Sequence, residues 1–197
     1  MDRPNKNVAR GEATRAQLIA IGTSLFAARG YEDTSIEAVL REAGVSRGSL
    51  YHHFASKEAL FEAVLEDVEA RVGSQVVTAA AGAAGPAAAL RAGCLAWIRI
   101  AGDPVVQRIL LIDAPSVLGW ERWRAMEERH ALGLIRAALQ AAADEGSLRP
   151  DLVGTLAHVL LASVNEVALL VARSEDPASA KREGADAVDE LLRGLLS

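Results

Sequence analysis

Three observations predict an all-α fold for this chain. Apolar residues recur at three- and four-residue spacings through most of the 197 residues. Runs that alternate with period two are too short for strands. Glycine, proline, serine and threonine fall where helices should stop and start. About nine helices are expected. Hydrophobic residues make up 51% and charged residues 24%. Those fractions exclude wholesale disorder, and the length suffices for a sizeable core.

The first helix places Leu18, Ile21, Gly22, Leu25 and Phe26 on one face and stops at Gly30. Thr34 or Ser35 caps the second; Glu37 completes a capping box if Thr34 is the cap. Its stripe is Ile36, Val39, Leu40 and Ala43, and Gly44 ends it. Val45 is a buried turn residue. Ser46 caps a third helix, which carries Leu50 and Phe54 four apart. Ser56 caps a fourth, with Leu60, Phe61, Val64, Leu65, Val68 and Val72 on one side. The Ala/Gly stretch from Ala79 to Ala89, broken by Pro86, reads as a loop between helices. Pro104, Pro115, Pro150 and Pro177 mark later helix starts, where proline is tolerated.

Charge is uneven. Residues 1–57 carry eight Lys/Arg and six Asp/Glu, so +2; residues 58–197 carry thirteen and twenty, so −7, which together give the net −5. A basic head on an acidic body suggests that only the head meets a polyanion. A single cysteine, Cys94, excludes an internal disulfide and fits a reducing compartment. The opening MDRPNKNVAR lacks the apolar core of a signal peptide. The most apolar stretch, Leu156 to Ala172, contains Ser163, Asn165 and Glu166 and reads as a buried helix, not a membrane span. A cytoplasmic location is expected. Enzyme signatures are missing: there is no G-x-S-x-G elbow, no H-E-x-x-H pair and no glycine-rich phosphate loop. Histidines 52, 53, 130 and 158 have no metal-ligand spacing, so neither metal nor cofactor is expected.

Residues 35–54, SIEAVLREAGVSRGSLYHHF, read as a helix, a tight glycine turn and a short second helix. Leu50 and Phe54 anchor the second against the first. Arg47, Ser49, Tyr51, His52 and His53 are left largely on the other faces, and Gly48 lets the backbone approach closely. Such donors suit base edges and phosphates in a major groove. Arg47 has no partner one turn on, where Tyr51 stands. Tyr51 and His53 also admit a packing role.

Residues 15–65 resemble the DNA-binding domain of TetR-type transcriptional repressors. The resemblance rests on Tyr31, Ser35, Ile36, the Ala43-Gly44-Val45-Ser46 turn, Gly48, Leu50, Tyr51, His53-Phe54, Lys57-Glu58 and Leu60. It implies an all-α homodimer with a helix-turn-helix head, and a body that binds small molecules and dimerises. It divides the chain into a flexible arm (1–10), the head (11–57) and the body (58–197). It also implies that Arg47, Gly48, Ser49 and His52 face bases, and that Thr34, Ser35, Tyr51, His53 and Lys57 lie near phosphates. The function it implies is a repressor that binds a near-palindromic DNA operator as a homodimer and is released by a small-molecule effector. The alternative is a helical protein-interaction module without operator binding.

In the body, Trp97, Trp120, Trp123, His130, Asn165 and Glu166 are candidates for a ligand pocket. His130 shares a stripe with Trp123, Met126, Leu134 and Ala137, as a pocket group or a core histidine bonded to a carbonyl. Glu166, in register with Val159, Ser163 and Leu170, needs a partner: a ligand, an arginine across a dimer, or a cluster with Arg108 or Arg136. The last two helices are apolar over an arc too broad for one pair to cover. A two-fold four-helix bundle would bury Leu156, Leu160, Val164, Val167, Leu191 and Leu195; burial against the chain's own body is the alternative.

Overall fold

The computed structural model describes residues 6–196, and the described residues contain helices and no strand. Nine helical rods follow one another: α1 (Lys6–Arg29), α2 (Ile36–Ala43), α3 (Arg47–His53), α4 (Lys57–Ala80), α5 (Pro86–Ile100), α6 (residues 104–118), α7 (residues 120–144), α8 (Val153–Arg173) and α9 (Pro177–Leu195). Residues 1–5 of the expected arm lie outside the described residues; from Lys6 onward the chain is already α1, so residues 6–10 form helix and not an arm.

The head is set by caps and a small aromatic core. Gly30 (φ 81°) and Gly44 (φ 64°) stop α1 and α2 in the left-handed region, where a side chain would strain the backbone. Ser35, Ser46 and Ser56 each accept a backbone N–H at the start of α2, α3 and α4. The N-cap of α2 is therefore Ser35, and Glu37 completes no capping box. Gln17 donates to the Ala43 carbonyl at 3.1 Å, which satisfies an end group of α2 from α1. Phe26, Tyr31 and Phe61 form a triangle with ring centroids 5.2–5.8 Å apart, and Leu18, Leu50 and Leu60 are fully buried around it. Each such side chain contributes about 1.5–3 kcal/mol by leaving water. Val45 is half-buried in the turn.

This core does not stop at the head. It runs on through Val64 and Val68 of α4 into Ile109, Leu110 and Ala114 of α6 and Trp123 and Met126 of α7. A second core, built on Leu90, Ile98, Leu139, Leu160, Leu161 and Val188, joins α5, α7, α8 and α9. Gly184 lets α9 approach Val167 of α8: a Cβ there would stand 2.5 Å from that side chain.

Two of the body rods contain a π-helical turn, at Gln107–Asp113 in α6 and Glu128–Leu132 in α7. The first gives way at Ala114 to an α-helical segment with Pro115 in its first turn, as expected, and the wider turn before it suits a residue with no N–H to donate. The second shifts the register of α7. Past it the buried positions are Leu132, Leu139, Ala142 and Ala143, while Leu134 and Ala137 are exposed. The stripe expected to run inward through His130, Leu134 and Ala137 therefore holds only in part: His130 is half-buried, while Ala137 faces solvent.

The stretch Pro150–Arg173, with a mean hydropathy of 1.7, is long and apolar enough to cross a membrane by length and composition alone. Here it packs against α5, α7 and α9. Its outer side carries Val159, Ala162, Glu166 and Leu170, all exposed.

Candidate nucleic-acid interface and body cavity

The short helix α3 buries Leu50, and Phe54 at its C-cap is buried beside it. Periodicity then sends the remaining side chains outward. Arg47, Gly48, Tyr51 and His52 are exposed, and Ser49 is half-buried. Arg47 forms an ion pair with Glu37 of α2 across the turn, so its partner comes from the preceding helix and not from its own. The Glu37 carboxyl is held below its ordinary value by its own backbone N–H and then by Arg47. Both members are exposed, so the pair is weak and exchangeable. A Cβ on Gly48 would meet nothing in the protein nearer than Ser46 Oγ at 4.0 Å. The fold itself therefore makes no demand for glycine there.

His53 is half-buried between His52 (centroids 5.2 Å apart) and Phe54 (6.4 Å). Lys57 donates to the Tyr31 carbonyl at 2.9 Å, with its ammonium 4.0 Å from the Tyr31 ring. Arg15 is exposed and lies over the Phe54 ring at 5.3 Å. Thr34 is a correction: it is fully buried, and its hydroxyl faces the Gly30 carbonyl at 2.7 Å and the Leu25 carbonyl at 3.2 Å. It locks the α1–α2 turn and has no surface to offer a phosphate. Ser35, spent as a cap, remains exposed.

Two grips tie this head to the body. Asp113 of α6 accepts the Tyr31 backbone N–H at 2.8 Å and pairs with Arg108, whose guanidinium lies over Gly30. Arg122 of α7 pairs with Glu58 (2.7 Å) and Glu62 at the start of α4.

The body forms a half-open cavity of about 360 Å³ among α4, α5, α6, α7 and α8. That is within the range of small-molecule sites. Most of the wall is alanine, valine and leucine. The polar exceptions are Glu69 of α4, Trp97 and Cys94 of α5, Glu127 and His130 of α7, and Asn165 of α8. Asn165 donates to Glu127 Oε1 at 2.6 Å; Glu127 Oε2 and Trp97 Nε1 are buried without a partner. Burial pushes the Glu69 carboxyl up to about 7. It pushes Glu127 up to about 8, with the Glu69 charge adding to the rise. The Cys94 thiol goes up to about 12 for the same reason, so it stays neutral.

Of the expected pocket residues, Trp97, His130 and Asn165 line this cavity; Trp120, Trp123 and Glu166 do not. Trp120 is 63% exposed and stacks beside Arg124. Trp123 is buried in the first core, where the head and body meet. Glu166 is exposed on α8, and Arg108 pairs with Asp113 instead. Leu160 and Val164 are buried within the protomer's own body, so the outward stripe of α8 is the neighbouring one, Val159–Ala162–Glu166–Leu170. Leu191 of α9 is exposed; Leu156, Val167 and Leu195 are half-buried. Glu69 and Glu127 were overlooked in the sequence. Glu69 is four residues after Leu65 and three before Val72, so the register argument that singled out Glu166 applies to it equally.

Residues 18–64 match the family of bacterial regulatory proteins of tetR type, and residues 87–195 match the tetracyclin repressor-like C-terminal domain. A crystal structure of a TetR-family transcriptional regulator from Pectobacterium atrosepticum is 33% identical and superposes with a TM-score of 0.83, over 95% of this chain and 96% of that one. The HTH-type transcriptional repressor KstR2 of Mycolicibacterium smegmatis is 39% identical over 66 residues, 34% of this chain and 30% of the relative. KstR2 of Mycobacterium tuberculosis is 25% identical over 92% of both chains. The first curated relatives are thus matched over less than a third of their own length. With an outward-facing short helix at one end, an internal cavity at the other and family matches across both, the chain belongs to the TetR family of bacterial transcriptional regulators.

Proposed function

We propose that this chain is an operator-binding repressor that acts in the cytoplasm as a homodimer, and that a small molecule in the α4–α8 cavity releases it from DNA. The observation that carries the reading is the capped helix α3, whose exposed face presents Arg47, Gly48, Ser49, Tyr51 and His52 while its other face is buried. Arg47, Gly48, Ser49 and His52 meet bases. Ser35, Tyr51, His53 and the N-terminus of α4 at Lys57 meet phosphates. Lys57 keeps two further N–H donors after its bond to Tyr31. The head spans 11–57 and the body 58–197, with α4 as the shared rod. The outer stripe of α8, Val159 to Leu170, and Leu191 of α9 meet the same helices of a second copy, which covers apolar surface and sets two α3 helices a fixed distance apart.

Release follows from the wiring. Glu69 on α4 and Glu127 on α7 both line the cavity, and Arg122 of α7 holds the start of α4. A molecule that resets α4 against α7 tilts the head through that pair and through the Asp113–Tyr31 bond. It moves the equilibrium only as far as it prefers one arrangement over the other.

In vitro selection of DNA with the purified protein tests this reading. A near-palindromic site with half-sites one turn apart (about 34–36 Å), or a multiple of it, is expected. Lys57→Ala should weaken all sequences alike and lower the salt slope by about one. Equal binding to random DNA, with no enriched sequence, overturns the reading.

A further inference from the structure

The cavity contains a pair of buried acids with no resident cation. Glu127 and Glu69 are 97% and 93% buried, within a wall that is mostly apolar, and no lysine or arginine lines it. One Glu127 oxygen takes the Asn165 amide; the other takes nothing. An anionic ligand would meet two carboxyls and no cation. A neutral ligand would need one hydrogen bond, which an asparagine supplies without the cost of burying two acids.

We infer that the effector is a hydrophobic organic cation, an apolar body bearing one ammonium, whose charge sits between Glu69 and Glu127. The inference rests on the reading of this cavity as the effector site. Its chemistry is an exchange of charge: the cation enters as a proton leaves the carboxyl pair, and the buried charge stays compensated. Around Glu127 stand Glu69, which raises its proton affinity, Arg124, which lowers it, the Asn165 amide, which lowers it, and Glu128, which raises it. His130 lines the same space; His158 stands 3.9 Å from Glu128 outside it. Cys94, neutral at physiological pH, adds no charge from α5. Both carboxyls titrate near neutrality, so the exchange should be visible there.

The test is calorimetric titration of the full chain, without DNA, with decyltrimethylammonium, decanol and decanoate, which share one chain length. The cation should bind at least tenfold tighter than decanol at about pH 8.5, and decanoate should not bind. The preference should shrink about tenfold by pH 6, and protons should be released near pH 7. E69Q/E127Q should abolish the preference while leaving decanol binding in place. Equal or tighter binding of decanol or decanoate overturns the inference, as does a cation preference that is independent of pH in the wild-type chain or survives in the double variant. Operator affinity is read separately. Cation binding that leaves a selected operator bound sinks the reading of this cavity as the site of release and leaves its ligand class standing; release by decanoate alone does the reverse.

Discussion

The α3 face and the body cavity do opposite things with polar side chains. On α3, the polar groups stand outside and the apolar ones, Leu50 and Phe54, only hold the helix in place. In the cavity the apolar groups make the outline, and two acids are brought inside where water cannot solvate them. An exposed arginine such as Arg47 stands in water beside one exposed carboxylate. A buried carboxyl such as Glu127 has a proton affinity that depends on every nearby element. The lesson is that one site is a display and the other an environment, so substitutions should separate stability from function at the first and entangle them at the second.

The largest effect expected is structural. Leu50→Ala removes the fully buried anchor of α3 and should cost about 2–5 kcal/mol in thermal or denaturant unfolding, with operator binding lost alongside. A variant as stable as the wild type would mean that α3 is not held by this contact.

Next comes the acid pair. Both carboxyls are raised from an ordinary value of 4.5, to about 7 for Glu69 and about 8 for Glu127. Between pH 4.5 and 8 the folded chain therefore holds more protons than the unfolded one. Stability should fall as pH rises through that window, by on the order of a few kcal/mol, and level off above it. Denaturant unfolding at about pH 5 and pH 9 measures this; E69Q/E127Q should flatten the difference. An unchanged slope would show the acids to be solvated after all.

Arg47→Ala should cost on the order of 1–3 kcal/mol of operator affinity and relax base preference, with little change in stability, because the Glu37–Arg47 pair is exposed. A large loss of stability would break the contrast between the two regions.

The smallest effect is the sharpest. Gly48→Ala should stabilise the fold by about 0.5–1 kcal/mol, since the helix gains a better former and the Cβ meets no neighbour within the chain. If α3 reads bases as proposed, operator binding should nevertheless weaken, because the methyl group would stand between the helix and DNA. A variant with both higher stability and unchanged operator affinity would remove Gly48 from the interface.

The legibility of the two regions differs for a physical reason. Caps and spacings act within one turn of helix, so Ser46, Gly44, Leu50 and Phe54 could be placed from the sequence, and with them the outward set of α3. Thr34 failed the same test because its burial depends on α1 folding back over the turn, nine residues away at Leu25. The partner of Arg47 was missed for the same kind of reason: Glu37 is ten residues distant and reaches it only across the turn. In the body, the π-turn at Glu128–Leu132 rotates the rest of α7, so an ideal 3.6-residue period misassigns Ala137.

By itself, then, the amino-acid order determined an all-helical chain, the punctuation of its head and the outward chemistry of α3, because those follow from hydrogen bonds and periodicities spanning a few residues. Only the tertiary structure decided that Glu69 and Glu127 share a cavity with Asn165, that Trp120 and Glu166 lie outside it, and that Asp113 and Arg122 bind body to head. Those relations join residues 38 to 96 positions apart, and no local rule carries information over such distances.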